Sequence, residues 1–393
     1  MVIAHGGVRE PADANCLLNA GVDVVMIDSG FAESGPGLPK RINALAAAHR
    51  RAEQRRETLD RKDLYPPADV PIPHRSWFWS FLLGLSLLIG GVMAFVIGVT
   101  QVVLPYDEEF LSMAREEICA INPQLLPFMS HDRVTLAGTM LALGPMYLAL
   151  AWFGDRRGMH WARVAVLASS FVGFLSFFLF LGFGYFDPFH AFISAILFQL
   201  MALGLRSSQS AECDETLDLY NSMSWKRALW GQLLMVIQGA AILTAGIVIS
   251  SFGVTTVFVA EDLDFMNTTR NALVDANARL VPLVAHDRAS FGGMLMATGV
   301  TVLLSSLWGW HRGRRWLWWS LLLSGSVAYG TTIFIHWHVG YTSLIHLLPA
   351  YGGLLFLWLA MLLSRDWLFE ECLSADSDQN QPFEERAERN SAQ

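Results

Sequence analysis

The chain has 393 residues, 53% of them hydrophobic and only 16% charged, whereas a soluble domain of this size carries roughly a quarter charged residues. That shortfall, with a mean hydropathy of +0.38, excludes an ordinary soluble globular protein and points to lipid as the solvent for much of the chain. The net charge of −8 argues for no nucleic-acid partner, and Cys16, Cys119, Cys213 and Cys372 lie too far apart for a CxxC zinc or dithiol motif.

In chain order, residues 1–46 read as α/β. VIAHGGV is a strand and a Gly-Gly turn, REPADANCLLNAG a helix closing at Gly21, VDVVMIDSG a strand ending in Ser29–Gly30, and GPGLPKRINALAAAH the start of another helix. Strand, glycine loop and helix, taken twice, is how the last two units of a (β/α)₈ barrel hold a phosphate. This stretch resembles the C-terminal end of the dihydroorotate dehydrogenase family, on Gly6–Gly7–Val8, Ala20–Gly21, MIDSG and GPGLPKRI; Glu10 and Val22 depart from the family's usual residues. The resemblance implies that Gly6, Gly7, Ser29 and Gly30 contact the phosphate of FMN. It also implies an oxidoreductase of pyrimidine biosynthesis, passing electrons to quinone in its membrane-bound members. The likeness covers only a quarter of a barrel. The family's catalytic base and flavin-ring contacts come from earlier parts, so FMN is expected only with a complete barrel, and this stretch alone is expected to be poorly supported.

Residues 47–76 form a charged, helix-prone stretch ending in the Pro-rich linker YPPADVPIP. With no secretory signal before it, the first membrane helix is expected to direct insertion. A helix needs about 20 apolar residues to cross the hydrocarbon core. Suitable runs lie near 77–104, 134–153, 162–183, 189–205, 228–252, 289–310, 316–335 and 341–363. The expected fold is therefore an all-α polytopic membrane protein of about eight transmembrane helices behind a partial β/α barrel end. Trp77, Trp79, Trp161, Trp225, Trp316 and Tyr341 fall at the ends of the runs, where amphipathic rings favour the interface. Lys and Arg cluster in 40–76 and in the loops holding Arg156, Arg157 and Arg163, then Arg206, Lys226 and Arg227, then Arg312, Arg314 and Arg315. By the positive-inside rule both termini are cytoplasmic.

The chain also repeats itself. GVTQVVLPYDEEF from Gly98 matches GVTTVFVAEDLDF from Gly253, and HDR at 131–133 recurs at 286–288, both at an offset of 155 residues. The same offset pairs Gly84 with Gly239, Gly91 with Gly246, Asn122 with Asn277 and Gly138 with Gly293. One residue later in register, Gly184–Tyr185 and His190 match Gly340–Tyr341 and His346. Two parallel four-helix repeats, at 77–206 and 225–364, with a polar tail at 365–393, are expected. The recurrent glycines read as helix-packing residues.

Positions kept in both copies single out an outer-face polar set: His131, Asp132, Arg133 and His190, with His286, Asp287, Arg288 and His346. His336 and His338 end the seventh helix nearby. The plainer reading, which is the default, has the Asp residues capping helices, the Arg residues meeting headgroups and the His residues at the wet interface. The sharper one has imidazoles converging on a metal or haem site, with His131 meeting His190 and His286 meeting His346 within each repeat. Two functional classes follow: a dihydroorotate dehydrogenase-like enzyme fused to a membrane module, or a transporter or ligand- and metal-binding module with an inactive N-terminal relic.

Overall fold

The computed structural model describes residues 1–35, 37–58, 71–177, 184–207 and 218–370. Among them are fifteen α-helices and one two-stranded parallel sheet. The N-terminal unit comprises β1 (Ile3–His5), α1 (Pro11–Asn19), β2 (Val24–Met26), α2 (Ser29–Ser34) and α3 (Gly37–Thr58), with Ile3 opposite Val24 and His5 opposite Met26. Its core is small: Val8, Ala14, Leu38, Ile42 and Leu45, while Ile3, Val24 and Met26 stay exposed. Helix α3 runs unbroken through 46–47, where composition suggested a boundary, because the Ala-rich turn continues straight into the charged stretch. The Pro-rich linker lies mostly outside the described residues.

This unit docks on the rest of the chain through polar contacts. Arg41 donates to the carbonyls of Asp218 and Tyr220 and to Asn221 Oδ1, and its guanidinium stacks 4.3 Å over Trp225. Asn221 in turn donates to the Arg9 carbonyl and Ser34 Oγ.

Beyond it come α4 (Ser76–Thr100), α5 (Pro105–Leu111), α6 (Arg115–Ile121), α7 (Leu125–Ala149), α8 (His160–Phe177) and α9 (Pro188–Arg206). The second half supplies α10 (Met223–Gly253), α11 (Ala260–Met266), α12 (Arg270–Ala276), α13 (Leu280–Gly309), α14 (Arg315–Val339) and α15 (Leu344–Phe369). Six of these helices, α4, α7 with its extension to Arg157, α9, α10, α13 and α15, are long and apolar enough to cross a membrane. In hydrocarbon a helix satisfies its own backbone, and the outward residues of α4 and α15, such as Ile89, Met93, Ile345 and Leu362, are apolar and exposed.

Helices α7 and α13 start at Leu125 and Leu280, nine residues before the apolar runs at 134 and 289 suggested. The HDR motifs therefore sit inside these helices, not at their first turns. Several aromatic residues expected at the lipid interface are buried instead, among them Trp77, Trp225 and Tyr341.

Close packing follows the recurrent glycines. A Cβ on Gly84 would lie 2.8 Å from the Leu148 nitrogen and one on Gly246 2.6 Å from the Met296 nitrogen, so α4 meets α7, and α10 meets α13, nearly backbone to backbone. The third helices then cross over. Gly138 of α7 faces Thr331 of α14, and Gly293 of α13 faces Ser176 of α8, so each half packs its second helix against the third helix of the other.

Gly246→Val should lower stability by about 1–3 kcal/mol through overpacking, read as a reduced thermal midpoint of the detergent-purified chain. Gly330→Val, where no atom lies within 4 Å of the added Cβ, should leave it nearly unchanged.

Candidate functional site

The HDR motifs lie where α7 and α13 pass each other, and their charges cross between the halves. Arg133 Nε donates to Asp287 Oδ2 at 2.8 Å and Nη1 to Asp107 Oδ2 at 2.8 Å. Arg288 repeats the pattern, with Nε 3.1 Å from Asp132 Oδ2 and Nη1 2.7 Å from Asp262 Oδ2. Each guanidinium also donates to a valine carbonyl, Arg133 to Val102 and Arg288 to Val257. Both valines are left-handed, at φ 62° and 69°. A β-branched residue adopts that conformation only when its surroundings force it; here it aims a carbonyl at a buried cation.

A second crossed pair seals the same end. Asn122 donates to the Met266 carbonyl and Asn277 to the Leu111 carbonyl, each at 2.8 Å. The short helices α5, α6, α11 and α12 are thereby held over a core of Phe128, Met129, Leu283 and Val284.

The histidines meet in two groups. In one, His131 Nε2 lies 3.0 Å from His336 Nε2, and a ring nitrogen of His346 is within 4.8 Å of both. Tyr341 stacks on His346 at 4.5 Å and donates to Asp262. In the other, His190 Nδ1 lies 3.2 Å from His286 Nε2, which is 3.8 Å from Asp187 Oδ2. Asp187 caps α9 by accepting from the His190 N–H at 2.8 Å, and accepts from the Tyr106 hydroxyl at 3.3 Å.

Convergence thus occurs, but with different partners from those the topology suggested. His131 meets His346 and His336 of the other half in place of His190, and His286 meets His190 in place of His346. The crossing of α7 with α14 and of α13 with α8 is the cause: it carries each second helix to the far half's later helices. Nor do the Asp and Arg residues act as caps and headgroup contacts; they form the buried crossed pairs. His338 stays outside both groups and stacks on Phe334. Asp107, Asp262, Tyr185 and Tyr341 belong to the network although only their repetition at matched positions hinted at it. Asp187 had no such signal, since Ser343 stands opposite it in the other copy.

The proposed phosphate residues lie apart, in the N-terminal unit. Gly6–Gly7 follow β1 and Ser29–Gly30 follow β2, at the same ends of two parallel strands. Gly6 and Gly7 have open space around them, while Gly30 is packed against the Val8 carbonyl, 1.8 Å from where its Cβ would be.

No family model, curated protein or solved structure matches the chain, and the function must be argued from this geometry.

Removing one partner of a buried ion pair leaves the others uncompensated, at about 3–5 kcal/mol. Arg133→Gln, which strands Asp107 and Asp287, should therefore destabilise the purified chain by that amount in denaturant unfolding, far more than Arg115→Gln, a half-buried arginine whose guanidinium donates to the Thr100 carbonyl at 3.3 Å.

Proposed function

We propose that this chain is an integral membrane protein whose eight-helix module binds a transition-metal ion between His131, His336 and His346. One observation carries the reading. His131 Nδ1 faces Asp132 Oδ1 at 3.0 Å and His336 Nδ1 faces the Thr332 carbonyl at 2.7 Å. An ionised carboxylate and a carbonyl can only accept, so both Nδ1 atoms carry the hydrogen. In the neutral rings both Nε2 atoms then present lone pairs to each other across 3.0 Å. Two lone pairs so placed repel unless a cation lies between them. Metal-bound histidines commonly give their second N–H to a carboxylate or carbonyl, and neutral imidazole suits zinc, copper, nickel and iron. Two nitrogens of a tetrahedral zinc site stand about 3.3 Å apart at the usual bond lengths, a small opening from the distance present. A haem held from both faces would place the nitrogens on opposite sides of a porphyrin, which this separation does not admit.

Zinc titrated into chelator-stripped full-length protein, followed by calorimetry, should show a site lost in the His131→Ala, His336→Ala double variant while helical content is unchanged. No zinc uptake by the folded wild-type protein, or equal uptake by that variant, would refute the assignment.

The reading includes two parallel repeats and eight crossings, with α8 and α14 completing the six more apolar helices, and both termini in the cytoplasm. The matched crossed contacts support the repeats, and the Lys/Arg-rich loops support the orientation. Reporter fusions at 155–160, in the loop before α10 and at 311–315 should all report cytoplasm; an external signal from any one would overturn the topology. The likeness of residues 1–46 to dihydroorotate dehydrogenase, with FMN and quinone, stands beside this as a proposal about the unit's origin. The two parallel strands with their glycine turns support it.

A further inference from the structure

The second histidine group differs from the first in where it faces. Asp187, His190 and His286 line a cavity of about 460 Å³ between α4, α7, α8, α9 and α13, a size typical of small-molecule sites. The three-histidine group lines neither this cavity nor the one of about 90 Å³ beside Gln238 and Tyr329 in the other half.

Helices α4 and α9 approach each other at Trp79 and Gly204, at the end remote from the histidines, and the cavity lies between them from there toward Gly98. Ile89 and Met93 of α4, with Phe189 and Ile196 of α9, line it and are also 43–53% exposed. On membrane helices such residues face hydrocarbon, so the mouth opens sideways into the bilayer. The walls are mostly apolar; the histidines and the charged groups gather at one end, while Ser86, Tyr147 and Ser170 lie farther along it.

Ser290 supplies an independent sign of a ligand there. It lines the cavity, is 4% exposed, and its hydroxyl has no hydrogen-bond partner among the described residues. Its counterpart Thr135 donates to the His131 and Asp132 carbonyls at 2.8 and 2.9 Å and is satisfied. A buried hydroxyl left without a partner is unfavourable, and a bound head group would relieve it. The charged groups at this end are already matched, Arg133 with Asp107 and Asp287, and Asp187 opposes an anion.

We propose that this cavity binds an uncharged, lipid-soluble molecule whose hydroxyl or carbonyl head meets Ser290 and the His190–His286 pair. Its apolar part lies along α4 and α9. The inference is independent of the metal assignment, which concerns other residues. Two lipid sources share that head chemistry, acylglycerols and quinones.

The test is native mass spectrometry of the full chain in phosphatidylcholine nanodiscs, titrated with 1-oleoylglycerol, decylubiquinone and oleate. Saturable one-to-one binding of at least one uncharged probe is expected, with oleate at least tenfold weaker; the preferred probe identifies the source. Ser290→Ala should weaken that binding about tenfold, and Ile193→Trp, which fills the cavity, should abolish it. Thermal unfolding should show both variants folded. If Ile193→Trp does not fold, the Ser290→Ala result decides alone. Oleate binding as tightly, no saturable binding of either uncharged probe, or unchanged binding by Ser290→Ala would overturn the proposal.

Discussion

Everything at the histidine end depends on two guanidinium groups, Arg288 buried and Arg133 nearly so, that reach across the molecule. Burying a charge is costly unless it is paired and hydrogen-bonded. Arg133 and Arg288 each meet two carboxylates and a backbone carbonyl, and in each case one carboxylate comes from the other half. Each half gives its own arginine one carboxylate and a carbonyl, and the other half gives the second carboxylate. The pairs thus act as a clasp that fixes the register of α7 against α13, and with it the places of the histidines one residue before each Asp.

The clasp also reaches into the chemistry of the site. Asp132 uses Oδ2 for Arg288 and Oδ1 for His131 Nδ1. In the proposed site, pairing with Arg288 leaves Oδ1 of that carboxylate to accept from His131 Nδ1, so that Nε2 turns its lone pair toward His336. Asp262 has a parallel double task, between Arg288 and the Tyr341 hydroxyl. In the proposed metal site Arg288 thereby acts on His131 through Asp132. The halves differ around this shared frame: His336 joins one group and Asp187 the other, and the second lines the cavity of about 460 Å³.

The membrane character was legible because lipid leaves so strong a mark on composition, and the HDR residues and histidines that cluster in the fold could be singled out because they recur at a fixed offset in the sequence. Partnership was not legible. A gapless offset pairs His131 with His286 in sequence but says nothing of which surfaces pack, and the crossing of α7 with α14 brings Gly138 against Thr331, a contact visible only in three dimensions. Polarity also misled the helix boundaries. HDR resembles a helix end when its charges are assumed to seek water, whereas here they are satisfied by the opposite half. Asp107 and Asp262 sat in matched segments that read as loops, and nothing in their local sequence announced a buried ion pair.

The central claim is that the clasp turns two imidazole lone pairs onto one cation, and X-ray absorption at the zinc edge of the zinc-loaded protein tests it most directly. The account predicts a first shell with at least two nitrogens at about 2.0–2.1 Å and the outer-shell scattering of imidazole rings, with that signature lost in His131→Ala, His336→Ala. A first shell of oxygen alone, or an imidazole signature that survives in the double variant, would contradict it.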